Sequence, residues 1–175
     1  MMSEIRPPGA VQAPAIRLLG DDDLAACVEL LRASFGTVAR DFGLTEENAP
    51  TNAAFTTLAN LRAHVGDGMG LFGLFDGHVL LGCVALKQAK ANPQVQYVER
   101  LAVAPAHRHR GLGSQLLAFA LEEAARRGAV TASIGLIDEN EVLKSWYRAK
   151  GFVQRERRRV PHLPFTVCSM TKALP

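Results

Sequence analysis

The stretch richest in chemistry is Glu99-Arg100-Leu101-Ala102-Val103-Ala104-Pro105-Ala106-His107-Arg108-His109-Arg110-Gly111-Leu112-Gly113-Ser114-Gln115. Gly111 and Gly113 lack Cβ atoms, so backbone N–H groups can close on an anion there, at the positive end of the helix that follows. Ser114 adds a further amide and a hydroxyl. Arg108 and Arg110 bring guanidinium groups, whose planar fork suits phosphate oxygens. The pattern is a phosphate cradle. It is not a P-loop, because the Lys-Ser/Thr ending and the longer glycine spacing are absent, and it is not the Gly-x-Gly-x-x-Gly of dinucleotide folds. His107 and His109 flank the loop and read as phosphate neighbours or surface residues. A second cluster, Asn140-Glu141-Val142-Leu143-Lys144-Ser145-Trp146-Tyr147-Arg148-Ala149-Lys150-Gly151-Phe152, sets an amide, an indole and a phenol on one short segment.

These groups need elements to hold them. Ala15–Leu19 is a short apolar strand. Asp21, Asp22 and Asp23 open a helix whose Leu24, Cys27, Val28, Leu31 and Phe35 recur at helical spacing, acids meeting the positive end of its dipole. Gly36 to Pro50 reads as a loop. Thr51–Val65 reads as a second helix, with Thr51 or Asn52 as its cap. Met69–Phe75 and His78–Leu86 are apolar β-rich runs on either side of Asp76-Gly77, which predicts an antiparallel hairpin. Val95–Val103 is a third strand; strict alternation puts Tyr97, Glu99, Leu101 and Val103 on one face and Val98, Arg100 and Ala102 on the other. Gly111 opens a helix striped by Leu117, Ala120, Leu121 and Ala124 and stopped at Gly128. Then come a strand (Val130–Ile137), a short helix (Asn140–Lys150), a strand start (Phe152–Gln154) and a last strand (Phe165–Thr171). The fold class is α/β, one domain over residues 14–175 behind a flexible tail at 1–13. The Val95–Ile137 step is a right-handed parallel crossover.

Composition narrows the function classes. The chain has 175 residues, 48% hydrophobic and 21% charged, with a net charge of +3. Its mean hydropathy is +0.05. Those values fit one ordinary globular domain and exclude disorder or coiled coil as a global description. The mild positive excess suits an anionic small ligand and does not argue for nucleic acid. No apolar run reaches spanning length and no signal-peptide core is present, so a soluble, cytoplasmic protein without a membrane partner is expected. Cys27, Cys83 and Cys168 are an odd number, far apart, without metal-ligand spacing. They read as buried thiols, with neither a disulfide framework nor a metal site, and Cys83 and Cys168 lack an evident activating base to make them nucleophiles.

Arg108-x-x-Gly111-x-Gly113, preceded by Leu101-x-Val103-x-Pro105, resembles the pyrophosphate loop of the GCN5-related N-acetyltransferase (GNAT) superfamily. The segment Asn140 to Phe152 is similar to its last conserved region, Asn-x-x-Ala-x-x-Leu-Tyr-x-x-x-Gly-Phe, departing from it at Leu143 and Trp146. Element order carries the resemblance from about Ala15 to Thr171; its specific motifs lie between Tyr97 and Phe152. It implies a mixed sheet of about six to seven strands with about four helices, and acetyl-CoA as co-substrate for direct acetyl transfer to an amine. By the same resemblance, the amides of Leu101 and Val103, flanking Ala102 on a splayed strand, bond the thioester carbonyl and the pantetheine arm. Those of Arg108, His109, Arg110, Gly111, Leu112, Gly113 and Ser114 bond the pyrophosphate, and Asn140 touches the cofactor arm. Tyr147 would protonate the departing thiolate, and Glu99, directly or through water, would take the proton of the amine.

Three readings of the whole stay open at this stage. One is transfer to a small-molecule amine. The second is transfer to a protein α-amino or lysine ε-amino group. The third is a non-catalytic acyl-CoA-binding regulatory domain, against which the presence of both Glu99 and Tyr147 counts. The acceptor is expected to be set by the loops at Gly36–Pro50 and Val160–Pro164. Asp41, Glu46 and Glu47 are either attractors for a cationic amine or ordinary loop acids. Arg155, Arg157, Arg158 and Arg159 either meet an acidic acceptor or guard a solvated edge. Phe35 and Trp146 read as core. The C-terminal strand could pair across a homodimer.

Overall fold

The computed structural model describes residues 13–175. In chain order it contains β1 (Ala15–Leu18), α1 (Leu24–Asp41), α2 (Leu58–Gly66), β2 (Gly70–Asp76), β3 (Val79–Ala89), β4 (Asn92–Val103), α3 (Leu112–Arg126), β5 (Thr131–Ile137), α4 (Glu141–Ala149), β6 (Val153–Arg159) and β7 (Thr166–Ala173). The strands form one seven-stranded sheet in the order β1-β2-β3-β4-β5-β7-β6. All neighbours are antiparallel except β4 and β5. The tail expected at residues 1–13 falls, but for Ala13, outside the described residues. Among those described, no helix is long and apolar enough to cross a membrane.

The sheet is covered on both faces. Leu71, Cys83, Ala85 and Ala102 pack with Leu24, Cys27, Leu31 and Leu61 of α1 and α2. Phe72, Leu74, Val84, Leu86, Val98 and Ile134 pack with Leu116, Leu117 and Ala120 of α3 and with Tyr147 of α4. Each fully buried leucine among these contributes about 1.5–3 kcal/mol relative to exposure. That burial, more than helix propensity, holds the helices in place.

Three local expectations change. α1 runs through Gly36 to Asp41 instead of ending there, because Val38 and Ala39 continue its apolar side into a further cluster. Asn52 caps only a 3-10 turn, Ala53–Phe55, and α2 starts at Leu58 with Thr57 as cap, its hydroxyl accepting from Asn60 N–H at 3.2 Å. The hairpin turns at Gly77-His78, with Asp76 paired to Val79 and Gly77 in the left-handed region at φ 57°.

The alternation expected along β4 also fails, at Arg100. This residue has φ 50°, and the pairing with β3 skips a residue between Cys83 and Ala85. That is a β-bulge, which inserts an unpaired residue and bends the strand. Before and after it the side chains change parity. Glu99 pairs with Ala85 and Ala102 with Cys83 on the α1/α2 face, whereas Val98, Leu101 and Val103 turn to the α3/α4 face.

The parallel pairing of β4 with β5 covers only Val95–Thr131, Gln96–Ala132 and Tyr97–Ser133. Beyond Tyr97 the two strands part: β4 stays on β3 as far as Val103, and β5 stays on β7 as far as Ile137. A V-shaped gap opens in the middle of the sheet, reaching both faces. β7 fills the place between β5 and β6, so the C-terminal strand is paired on both sides and has no free edge for a second copy.

Candidate active site

One wall of the gap is the second half of β4. Ala104 N–H donates to Leu81 O on β3 at 2.8 Å. The antiparallel ladder alternates, so the N–H groups of Leu101 and Val103 face away from β3 into the gap. Ala102, between them, turns its N–H to β3 and its methyl group to the α1/α2 core. The carbonyl of Val103 is already taken, accepting from Ser34 Oγ at 2.9 Å and from Arg108 Nε at 3.4 Å.

At the mouth of the gap the loop reverses into α3. Gly111 sits at the helix N-terminus with φ 78° and ψ 0°, and no side chain caps it. Gln115 N–H finds Gly111 O at 3.1 Å, which leaves the first-turn amides of Leu112, Gly113 and Ser114 without helical acceptors. A Cβ on Gly113 would lie 3.8 Å from Val103 Cγ2 and 3.9 Å from Trp146 Cζ2. The end of β4, the N-terminus of α3 and the middle of α4 therefore converge here. His109 is also left-handed, at φ 62°, and both it and Arg110 are exposed, with Arg110 Nη1 2.9 Å from His107 Nδ1. Arg108 is different: its guanidinium bonds to α1, donating to Ser34 O at 2.8 Å and to Thr37 Oγ1 at 3.1 Å. The uncapped, glycine-flanked turn fits a pyrophosphate through its amides.

α4 closes the other side. Asn140 accepts from Leu143 N–H at 3.1 Å through Oδ1, starting the helix and leaving its amide NH₂ group free to donate. Tyr147 is 7% exposed, its ring edge-on to Trp146 at 4.9 Å and to Phe152 at 5.4 Å. Burial pushes its phenol well above the usual tyrosine range, so the group stays protonated. The helix is anchored by a pair that sequence spacing did not single out: Lys144 Nζ to Asp138 Oδ1 at 2.7 Å, with side chains 6% and 5% exposed. Glu141 and Arg157 complete the network at 2.9 Å and 2.6 Å.

Glu99 stands on the opposite face. Its carboxylate is 38% exposed and lies 3.3 Å from Arg100 Nη1, whose side chain is 12% exposed. Arg100 also contacts Met69 Sδ at 3.4 Å and His64 Nδ1 at 3.2 Å, and its buried Nε has no partner. Burial, then the Arg100 charge, holds the His64 imidazole below its ordinary pKa. The bulge thus sends Glu99 and Arg100 to one side together. The structure places the Glu99 carboxylate on the α1/α2 face of the sheet and the Tyr147 phenol within the cluster on the α3/α4 face.

The loops expected to choose the acceptor also meet. Phe35, Val38, Phe42, Phe55, Leu163 and Phe165 pack around Ala39, Leu44, Ala49, Ala54 and Ile137, over the C-terminal end of β5. Asp41, Glu46 and Glu47 are exposed. Arg157 is engaged by Asp138, Arg155 donates to Thr171 Oγ1 at 2.7 Å, and Arg158 and Arg159 lie exposed on β6, an edge strand. Cys27, Cys83 and Cys168 are free and buried.

Comparison with known proteins places this geometry. The chain covers 93% of its own length and 99% of the PaiA N-acetyltransferase from Thermoplasma acidophilum in complex with coenzyme A, at 21% identity and a TM-score of 0.74. Against the GCN5-related N-acetyltransferase from Rhodopseudomonas palustris the coverage is 96% and 100%, with 22% identity and a TM-score of 0.74. Against yncA from Salmonella typhimurium with its cofactor acetyl-CoA it is 94% and 95%, with 18% identity and a TM-score of 0.70. These likenesses show the fold. No curated protein matches the sequence. The family model described as acetyltransferase (GNAT) matches residues 24–152, from the first residue of α1 to the phenylalanine behind α4. The chain therefore belongs to the acetyltransferase (GNAT) family.

Proposed function

We propose that this protein transfers an acetyl group from acetyl-CoA directly to a primary amine within a ternary complex. The observation that carries the reading is the gap beyond Tyr97, with the free amides of Leu101 and Val103 on its wall and the uncapped α3 N-terminus at its mouth. Acetyl-CoA, when bound, supplies an activated acyl thioester. The amides of Leu112, Gly113 and Ser114 hold the pyrophosphate, aided by the helix dipole. Leu101 and Val103 N–H orient the acyl end, and Asn140 Nδ2 donates to the pantetheine arm. Glu99, on the α1/α2 face, takes the proton of the acceptor ammonium directly or through water. Tyr147 Oη, on the other face, holds the proton that the leaving sulfur needs. Base and acid approach from opposite sides of the sheet, which matches an amine entering on one side and a thiol leaving on the other. The three free, buried thiols suit a reducing compartment, and we place the activity in the cytoplasm.

Calorimetric titration of acetyl-CoA and of CoA into the protein tests this, with Gly113→Trp as the blocking variant and Gly113→Ala as the control whose methyl fits without displacing an atom. Both ligands should bind wild type and Gly113→Ala and fail on Gly113→Trp. Absence of binding to folded wild type overturns the reading.

A further inference from the structure

Arg108 holds the loop position whose side chain would be expected beside a phosphate, yet each of its three guanidinium nitrogens already donates to α1 or β4. Nη2 donates to Ser34 O at 2.8 Å, Nη1 to Thr37 Oγ1 at 3.1 Å and Nε to Val103 O at 3.4 Å. Ser34 Oγ donates to Val103 O at 2.9 Å and Thr37 Oγ1 to Ser34 O at 2.8 Å. One turn of α1, the last residue of β4 and the loop are thus tied into a single network. Turning the guanidinium out to a phosphate would give up all three of these hydrogen bonds and release the loop from α1. Just past this turn, Val38 and Ala39 of α1 and Phe42 after it enter the apolar cluster shared with Leu163 and Phe165, over the end of β5.

We infer that Arg108 is a positioning residue that couples the phosphate cradle to the acceptor side of the site. Filling the cradle orders the backbone of Arg108, and its guanidinium passes that order to α1 and to the loop cluster above the gap. CoA and the acceptor then bind with positive coupling, although no contact joins them through this residue. The inference rests on the acetyl-CoA reading given above.

Hydrogen exchange read by mass spectrometry, on the full chain with and without saturating CoA, tests it in wild type, Arg108→Met and Thr37→Val. In wild type, CoA should slow exchange both in the loop, residues 108–115, and in α1, residues 34–42. In the two variants the loop should still be protected, the α1 protection should fall by at least about half, and the CoA affinity should change by less than about threefold. If Arg108→Met weakens CoA by more than about tenfold while Thr37→Val keeps the α1 protection, Arg108 is a phosphate ligand and the inference is overturned. Should Arg108→Met not fold, Thr37→Val decides alone, retained α1 protection being the adverse result. CoA that binds wild type without protecting α1 overturns the coupling and spares the transfer reading. CoA that does not bind wild type overturns both.

Discussion

Glu99 and Tyr147 lie on opposite faces of the sheet, and that separation makes their proposed roles testable one at a time. Replacing Glu99 by Gln removes the proposed proton acceptor and keeps the side-chain volume. Turnover at neutral pH should fall, the acid limb of the pH–rate profile should disappear, and the acetyl-CoA dissociation constant should stay within about twofold. A profile identical to wild type removes Glu99 from the mechanism. Tyr147→Phe keeps the ring between Trp146 and Phe152 and deletes only the hydroxyl. Steady-state kinetics should show kcat reduced about 100-fold, the lower range for loss of a general acid, with acetyl-CoA binding little changed. Because burial raises the phenol, it remains protonated across the working range, and ionisation of Tyr147 does not shape the neutral part of the profile.

At the scale of elements, α4 matters because its nine residues, capped by Asn140, carry Trp146 and Tyr147 and bury only Lys144 and Tyr147. So short a helix is not stable alone. Lys144, one turn before Tyr147, ties it to Asp138 at the end of β5, and Asp138 reaches across to Arg157 on β6. The Lys144 ammonium, and after it Arg157, hold the Asp138 carboxyl below the usual carboxylate range. Lys144→Met leaves that carboxylate shielded and half-paired, at a cost of about 3 kcal/mol. For a chain of this size the melting temperature should drop by roughly 6–12 °C. Calorimetry showing a change under about 2 °C would mean that Arg157 alone satisfies Asp138.

For the molecule as a whole, the charged network sets the response to acid. Asp23 is held at about 2, first by Arg17 and then by the Gly20 N–H, and Asp138 is also depressed. Carboxyls with folded pKa values below the unfolded value of about 4 contribute stability that is present above that value and lost as pH falls through the folded one. Asp21 and Glu123 are depressed too; like Asp23 they are held by exposed arginines, so each weighs less than Asp138. His64, depressed by burial and Arg100, adds a smaller loss that starts below its unfolded value of about 6.5. Thermal denaturation should therefore show a shallow decline below about pH 6.5 and a steep one between about 4 and 2. Asp23→Asn should flatten the steep part, and an unaltered slope in that variant would discount the Arg17 pair.

The order of elements, the parallel pairing of β4 with β5 and the glycine turn that opens α3 at Gly111 are legible in the sequence because each depends on local spacing: a period of two or 3.6, a glycine where φ must be positive, acids at a helix start. The resemblance at Arg108–Gly113 and Asn140–Phe152 was legible for the same reason, since each motif lies within one turn-and-helix unit. Gly36 does not stop α1 because the packing of Val38 and Ala39, settled by distant loops, outweighs one poor helix former. The faces of β4 were misread because a bulge is a pairing event between strands, and nothing in Glu99-Arg100-Leu101 announces that Val84 will meet an extra residue. Likewise no spacing ties Arg108 to Ser34 and Thr37, which lie 74 and 71 residues away in the chain. The sequence determined which chemical groups the protein carries and the local turns that present them. The tertiary structure alone decided which face Glu99 occupies, that β4 and β5 part beyond Tyr97, and that Arg108 points at a helix, because long-range packing and strand register choose among side-chain directions that local sequence leaves equal.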